Sequence, residues 1–305
     1  MKNHPRPDAF PALPLDEWEG TYDTLHLYLQ IIGKIRLKLF PKKNHWWHVP
    51  FYVSARGLTT LPIPSDRFNF EMEFDFIDHA FIIKTSHGLT KKIPLKNGLT
   101  VAQFYQSVFS HLDNLGIRAK ILAVPYDVPD ISKEPFEKIE TYASYDPEYA
   151  NRFWQILVQV DSLFQVFRGR FTGKSTPVHL FWHHFDLALT RFSGRPATVR
   201  EGANIVEREA YSHEVISFGF WAGDKQVREP AFYAYAHPAP PGMMDEPLQP
   251  KEAQWNPDAG MALYRYNDMR RAPDPRQALL DFLESAYQAG ARRAHWDIEA
   301  LQLTS

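Results

Sequence analysis

The chain of 305 residues contains no cysteine. This absence excludes disulfide bonds, thiolate zinc sites, iron–sulfur clusters and a cysteine nucleophile. Neither sign of charge is in excess, since 34 Lys and Arg residues stand against 36 Asp and Glu residues, and the sequence pI is about 6.7. This balance disfavours a protein that binds nucleic acid through a basic surface.

Long hydrophobic runs are also missing. No apolar stretch approaches the roughly 18 residues that a membrane-spanning helix needs, and the first 15 residues lack the apolar segment of a secretory signal. We therefore expect a cytoplasmic protein with neither a membrane nor a nucleic acid as partner. At 44% hydrophobic residues the chain still has ample material for a folded core.

Hydrophobic periodicity predicts an α+β protein. An apolar stripe at helical spacing after Thr21 predicts a helix that Pro41 stops, and residues 68–76 alternate as a strand whose acidic ladder faces solvent. Further strands are predicted over residues 48–56, 117–124, 178–191 and 210–220. Other helices are predicted to begin at Thr100, Asp146 and Asp274. Antiparallel sheets flanked by helices follow from this pattern.

The order of elements recurs along the chain and indicates an internal duplication. Trp47-His48 is followed eight residues later by Arg56, and Trp182-His183 is followed eight residues later by Arg191. We therefore predict two similar halves, each a helix–sheet–helix unit, packed as one unit about a pseudo-twofold axis. The predicted boundaries are an N-terminal half over 1–124, a linker over 125–146 and a C-terminal half over 147–305.

Three strings of residues resemble a known family. They are Asn44-His-Trp-Trp-His-Val-Pro50, Thr190-Arg-Phe-Ser-Gly-Arg195 and Arg208-Glu-Ala-Tyr-Ser-His-Glu214. With them the chain resembles, over nearly its whole length, an uncharacterised bacterial family of domain-of-unknown-function proteins. The resemblance implies no activity. In the family pattern small residues follow the tryptophan where this chain has His183-His184, which argues against an essential role for these two histidines.

Aromatic and basic residues on the predicted strands favour a binding cleft between the halves. We predict that the cleft takes a small anionic or polar molecule and is lined by Trp47, Tyr52, Trp182, Tyr211 and Tyr233. The charged or polar ligand-binding candidates are His48, Arg56, His179 and Arg191. The two arginines suit a carboxylate or phosphate, because a guanidinium makes bidentate contacts; alternatively, each pairs with a carboxylate of the protein itself.

Two other function classes stay open. An enzyme would use His213, Glu214 and Asp186 as acid–base groups in the same cleft, hydrolase-like or metal-dependent. A metal would be held across strands by His48, His179 and His213 with Glu214 or Asp186. A structural or oligomerisation module would bury the aromatic strands in an interface and bind no ligand. The sequence contains no nucleotide-binding or nucleophile-elbow motif, and we assign no metal; cofactor and oligomeric state stay open.

Overall fold

The computed structural model describes residues 9–128, 131–198 and 201–303. These residues form seven α-helices: α1 Glu19–Leu39, α2 Val101–Asn114, α3 Pro147–Gly169, α4 Ile205–Ala210, α5 Tyr266–Arg271, α6 Pro275–Arg293 and α7 Ile298–Leu301. They also form twelve strands: β1 Tyr52–Val53, β2 Gly57–Thr59, β3 Ile63–Pro64, β4 Asn69–Asp75, β5 Ala80–Thr85, β6 Thr90–Pro94, β7 His179–Phe181, β8 Asp186–Pro196, β9 His213–Trp221, β10 Ala231–His237, β11 Gln254–Asn256 and β12 Met261–Arg265.

The strands form two antiparallel sheets. The first has the order β1-β2-β4-β5-β6, with β3 also paired to β4, and the second has the order β11-β12-β10-β9-β8-β7. Long helices pack on both sheets, and α3 and α6 contact the second one. The α+β prediction, with antiparallel sheets flanked by helices, is confirmed.

The two sheets meet at a backbone seam. Phe51 at the edge of the first sheet and Leu180 on β7 exchange two hydrogen bonds of 2.8 Å each. One continuous apolar core contains residues of both sheets and of the helices. Each half begins with a long helix that leads into an antiparallel meander, but common descent of the halves stays a prediction. Residues 125–146, expected to be a linker, contribute Phe136 and Ile139 to the core.

Helix α1 runs through the interior of the molecule. All of its residues from Thr24 to Arg36 are buried, although the sequence suggested a single apolar stripe. Gly33 is required there because a Cβ atom at this position would lie 2.3 Å from the indole of Trp182. Helix α1 therefore packs closely on the turn between β7 and β8. In the described parts of the chain, no helix has both the length and the apolar character needed to cross a bilayer.

Four predicted strands differ from the structure. Of 48–56 only β1 is a strand, because Pro50 cannot donate to a ladder and His45 and Trp46 take left-handed φ values in the turn before it. Residues 117–124 form no strand, and Ala123 instead accepts a hydrogen bond from the loop residue Phe136. The stretch 178–191 is divided into β7 and β8 by a turn. Within the stretch 210–220 the strand begins only at His213, because a capping box starts helix α4, which ends at Ala210.

The acidic ladder of β4 does not face solvent as expected. Glu73 and Asp75 are buried beneath the turn that joins β1 to β2. Glu73 accepts hydrogen bonds from Ser54 and Lys84 at 2.8 and 2.6 Å, and Asp75 accepts one from Arg56 at 2.6 Å. The alternation in sequence therefore corresponds to a strand with two buried faces. One face is apolar, and the acidic side chains of the other pair with side chains of neighbouring residues in the fold.

Candidate functional site

A cavity of about 690 Å³ lies between the N-terminal half of α1, the β7–β8 turn and one face of the second sheet. Its volume falls within the range of small-molecule sites. Further wall residues come from the loop after β9 and from Asp127, Val128 and Ile131. We call it the large cavity.

The strand register of the second sheet builds the floor of the large cavity. Alternate residues of a strand share a face, and the pairing places Asp186 of β8, Trp221 of β9, Tyr233 and Tyr235 of β10 and Leu263 of β12 on the cavity side. The side chains on the opposite face of the second sheet lie in the apolar core; they are Leu187, Phe218, Phe220, Phe232 and Tyr264. The same alternation that fills the core therefore also supplies the polar and aromatic floor.

A glycine on β9 makes room for the central tyrosine of the floor. Gly219 pairs with Tyr233, and a Cβ atom at Gly219 would lie 2.2 Å from the Tyr233 ring. The phenol thus lies across the glycine and reaches β8, where its hydroxyl donates a hydrogen bond to Oδ2 of Asp186.

Asp186 is the most deeply buried carboxyl group of the large cavity. The residue is 6% exposed, and its Oδ1 atom has no hydrogen-bond partner on another described residue. Burial raises the pKa of Asp186, and the charge interaction with His184 and the hydrogen bond from Tyr233 oppose that rise only in part. Phe185, just before it, is held at a φ of 56°, a conformation that costs energy for a bulky side chain. The turn thus holds a buried carboxyl oxygen, Oδ1, that no other described residue hydrogen-bonds.

Further hydrogen-bond donors line the large cavity. The hydroxyl groups of Tyr211 and Tyr235 lie 2.9 Å apart, and the buried Nε1 of Trp221 has no partner among the described residues. Burial raises the pKa of Tyr233 and Tyr235 well above the usual value, so both phenols keep their protons. The floor is therefore amphipathic, with ring faces and a few polar atoms.

Helix α1 supplies the opposite wall through residues 19, 22, 23 and 26, a spacing that places them on one helix face. Burial, together with the charge of Glu19, raises the pKa of Asp23 to about 6. The Asp23 carboxylate makes no hydrogen bond and no close ion pair within the described residues. His26 donates from Nε2 to the carbonyl oxygens of Trp182 and His183, and burial lowers its pKa to about 4. His26 is therefore neutral at physiological pH.

The other carboxylates around the large cavity are already engaged. Glu19 pairs with Arg228, and Asp127 pairs with His184 at 3.0 Å. Asp224 accepts hydrogen bonds from the backbone of its own loop. Asp23 and Asp186 are thus the two carboxyl groups at the cavity whose pKa burial raises and that form no ion pair with a described cation.

The structure brings together three of the residues that the sequence singled out. Asp186, Tyr211 and Tyr233 line the large cavity, and Trp182 is buried beside it against α1. The large cavity lies between α1 and the second sheet, and a binding cleft between two halves stays a prediction.

The two predicted arginines do not face a common cleft, so their expected joint role needs correction. Arg191 is buried on the core face of β8, where its guanidinium lies over the rings of Phe167, Phe171 and Tyr287. Arg56 is half exposed at the other sheet and forms ion pairs of 2.6 and 2.8 Å with Asp75 and Asp78. For Arg56 the alternative, a pair with a carboxylate of the protein, is the one observed.

The acid–base candidates His213 and Glu214 lie outside the large cavity. Glu214 accepts hydrogen bonds from Arg195 and Trp296 beside a smaller cavity of about 270 Å³. His213 contacts Ser212 at 3.1 Å and lies near the ring of His45. Neither residue joins Asp186, so the three do not form one acid–base site.

The remaining candidates are also dispersed. His48 accepts a hydrogen bond from the backbone of Lys43, and Trp47 packs on His45. His179 is fully buried near the rings of Tyr52 and Phe181. Over residues 9–128, 131–198 and 201–303, no group of three His, Asp or Glu side chains is placed to hold a metal ion. The strand-bridging metal site is therefore not formed by these residues.

The α1 wall and Trp221 were missed from the sequence. The signal that could have revealed the wall was three polar residues at helical spacing, at positions 19, 23 and 26, inside an otherwise apolar helix. Such residues in a buried helix either pair with each other or face a cavity. Which of the two applies depends on contacts between α1 and residues more than 150 positions away.

Comparison with known proteins identifies the family without an activity. The model of DUF5996, described as a family of unknown function, matches residues 10–303. No curated protein and no solved structure matches the chain. The chain therefore belongs to the DUF5996 family.

Proposed function

We propose that this member of the DUF5996 family binds a small polar molecule in the large cavity. The observation that carries the proposal is the buried, unpaired Oδ1 atom of Asp186 in the floor of a cavity of about 690 Å³. A buried polar atom without a partner costs about 1–3 kcal/mol. A ligand that donates a hydrogen bond to this oxygen would remove that cost.

The lining sets the character of the ligand. Five aromatic side chains line the cavity together with a small number of polar groups, among them Asp186 and the Tyr233 hydroxyl that donates to it, as is typical of small-molecule sites. The sequence predicted an anionic or polar ligand, with arginines as anchors. The arginines lie elsewhere, and Asp23 and Asp186 would repel an anion once ionised, so we retain the polar ligand and drop the anionic one.

A thermal-shift screen against metabolites tests this proposal. A ligand that binds only the folded state raises the melting temperature. We expect hits on the wild-type chain whose shift is lost in Asp186→Leu. The matched control is Asp161→Leu, since Asp161 is a half-buried carboxyl group on α3, outside the cavity, whose pKa burial also raises to about 6. Hits that survive Asp186→Leu and fail in Asp161→Leu would place binding elsewhere.

An enzyme acting in the same cavity is the second candidate, favoured by Asp23. A carboxyl group with a pKa of about 6 exchanges protons readily near neutral pH, as a general acid or base must. The discriminating result is turnover of a bound hit by the wild-type chain and its loss in Asp23→Asn with binding retained. Binding without turnover supports the binding protein.

A further inference from the structure

We infer that the occupant of the large cavity is an organic cation, an ammonium or amidinium group carried on an aromatic or alkyl body. The inference deepens the proposed function and rests on it. Three observations carry it: the carboxyl groups without an ion pair, the aromatic rings of the lining, which carry no described cation, and the size of the space.

The first observation is the surplus of negative groups. Glu19 pairs with Arg228, and Asp127 pairs with His184. Asp224 accepts hydrogen bonds from the backbone of its loop, whereas Asp186 and Asp23 form no ion pair with another described residue. A buried carboxylate is stable when a positive group pairs with it. A charged N–H donor is the strongest partner for such an oxygen. Asp186 lines the cavity, and its Oδ1 atom is buried without a partner on another described residue.

The second observation concerns the rings. Five aromatic side chains line the cavity: Tyr22, Tyr211, Trp221, Tyr233 and Tyr235. A cation within about 6 Å of a ring face is attracted by the ring's quadrupole. Elsewhere the protein uses its rings in this way, as Lys34 does with Trp182 at 5.7 Å and Arg191 with Phe167 at 3.5 Å. In the described part of the chain, none of the five cavity rings carries such a contact.

The third observation separates an organic cation from a metal ion. The described side chains provide no cluster of three metal-ligating groups, whereas the cavity of about 690 Å³ has room for a molecular body beside the charge. Leu15, Val128, Met261 and Leu263 give that body an apolar wall. The site thus combines a carboxylate anchor, ring faces and an apolar wall.

Proton linkage follows from the same geometry. The charged and titratable groups that line the cavity, or pair with a lining residue, are Glu19, Asp23, His26, Asp127, His183, His184, Tyr211, Asp224, Lys225, Arg228, Tyr233 and Tyr235. Burial raises the pKa of Asp186 and Asp23, and a bound cation favours their ionised forms. Cation binding therefore releases protons, and affinity increases as the pH rises through about 6.

Calorimetric titration of the full chain with three matched probes tests the inference. Tyramine carries an ammonium group, tyrosol replaces it by a hydroxyl, and 4-hydroxyphenylacetate replaces it by a carboxylate. At about pH 7.5 we expect tyramine to bind at least about ten-fold more tightly than either analogue. Titrations in buffers of different ionisation enthalpy should show proton release, which increases toward pH 6.

Variants test whether the preference for tyramine arises in the large cavity. Asp186→Asn should remove the preference for tyramine, and Asp161→Asn should leave it unchanged. If Asp186→Asn fails to fold, Asp23→Asn serves as the second variant and should reduce the preference several-fold. Equal binding of tyramine and tyrosol would overturn the cation inference and leave the proposed function standing. Tighter binding of 4-hydroxyphenylacetate, or no binding of tyramine, would also overturn the cation inference. The metabolite screen would then be the separate test of the proposed function.

Discussion

Asp23 shows at the scale of one residue how burial acts on a charge. Burial and the like charge of Glu19 raise the pKa of Asp23 to about 6, from an ordinary value of 3.8. The folded protein therefore holds this proton more tightly than the unfolded chain does. The stability from this group is fully present below about pH 4 and is lost as the pH rises through about 6.

The variant Asp23→Asn removes this loss. We expect its free energy of unfolding to exceed that of the wild-type by about 1 kcal/mol near pH 7.5, after allowance for solvent screening at a half-buried site, and to match it near pH 4. Urea titrations at the two pH values measure the difference. Asp113→Asn, at an exposed position of α2, should change neither value. A gain at pH 4 as large as that at pH 7.5 would contradict the account.

Arg191 is assigned a structural role by its surroundings. Its guanidinium lies over three rings, donates to the carbonyl oxygen of Phe167, and is almost fully buried. Arg191→Ala should cost about 3–5 kcal/mol, because it empties a packed site, and Arg191→Met should cost less, because it keeps the aliphatic stem. Chemical denaturation measures both, with the exposed Arg67→Ala as control. A loss below about 1 kcal/mol in Arg191→Ala would remove the structural role.

At the scale of elements, the strands β8, β9 and β10 divide core from cavity by alternation, and Gly219 is the point where this arrangement is tightest. Gly219→Ala would place a Cβ atom against the Tyr233 ring. We expect a loss of about 1–3 kcal/mol in the free energy of unfolding, because the phenol must leave its place over β9 and its hydrogen bond to Asp186.

A second glycine provides the control for this prediction. Gly169, the last residue of α3, has open space where the Cβ atom of an alanine would lie, so Gly169→Ala should be neutral or slightly stabilising. Thermal and urea unfolding compare the two variants. Equal stability of both would mean that Tyr233 does not lie against β9 as described.

Elements differed in how far the sequence could predict them. Helix α1 and strand β4 were predicted because their periodicity is local. The turn before Asp186 was missed because a left-handed φ at Phe185 has no sequence signal. The start of α4 was also missed, although the capping pair Asn204 and Glu207 is a local signal for it. In the site, Asp186 and Tyr233 lie on strands rich in aromatic residues, and Tyr211 lies just before β9. The α1 wall was not found, since it depends on long-range packing.

At the scale of the whole molecule, the seam between Phe51 and Leu180 and the continuous core make the two sheets one structural unit. We expect a single unfolding transition in urea, with coincident curves from far-ultraviolet circular dichroism and tryptophan fluorescence. The eight tryptophans lie in both halves, so fluorescence reports on each. Two separated transitions would show that the halves unfold independently.

The large cavity also joins the halves, since α1 of the first faces the sheet of the second, and its role as a cation site is the central claim. A crystal of the full chain soaked with tyramine tests it most directly. We predict the ammonium nitrogen about 2.7–3.0 Å from Oδ1 of Asp186, with the phenol ring among the cavity aromatics. Tyramine bound with its ammonium group in solvent, or bound only outside the large cavity, would contradict the account.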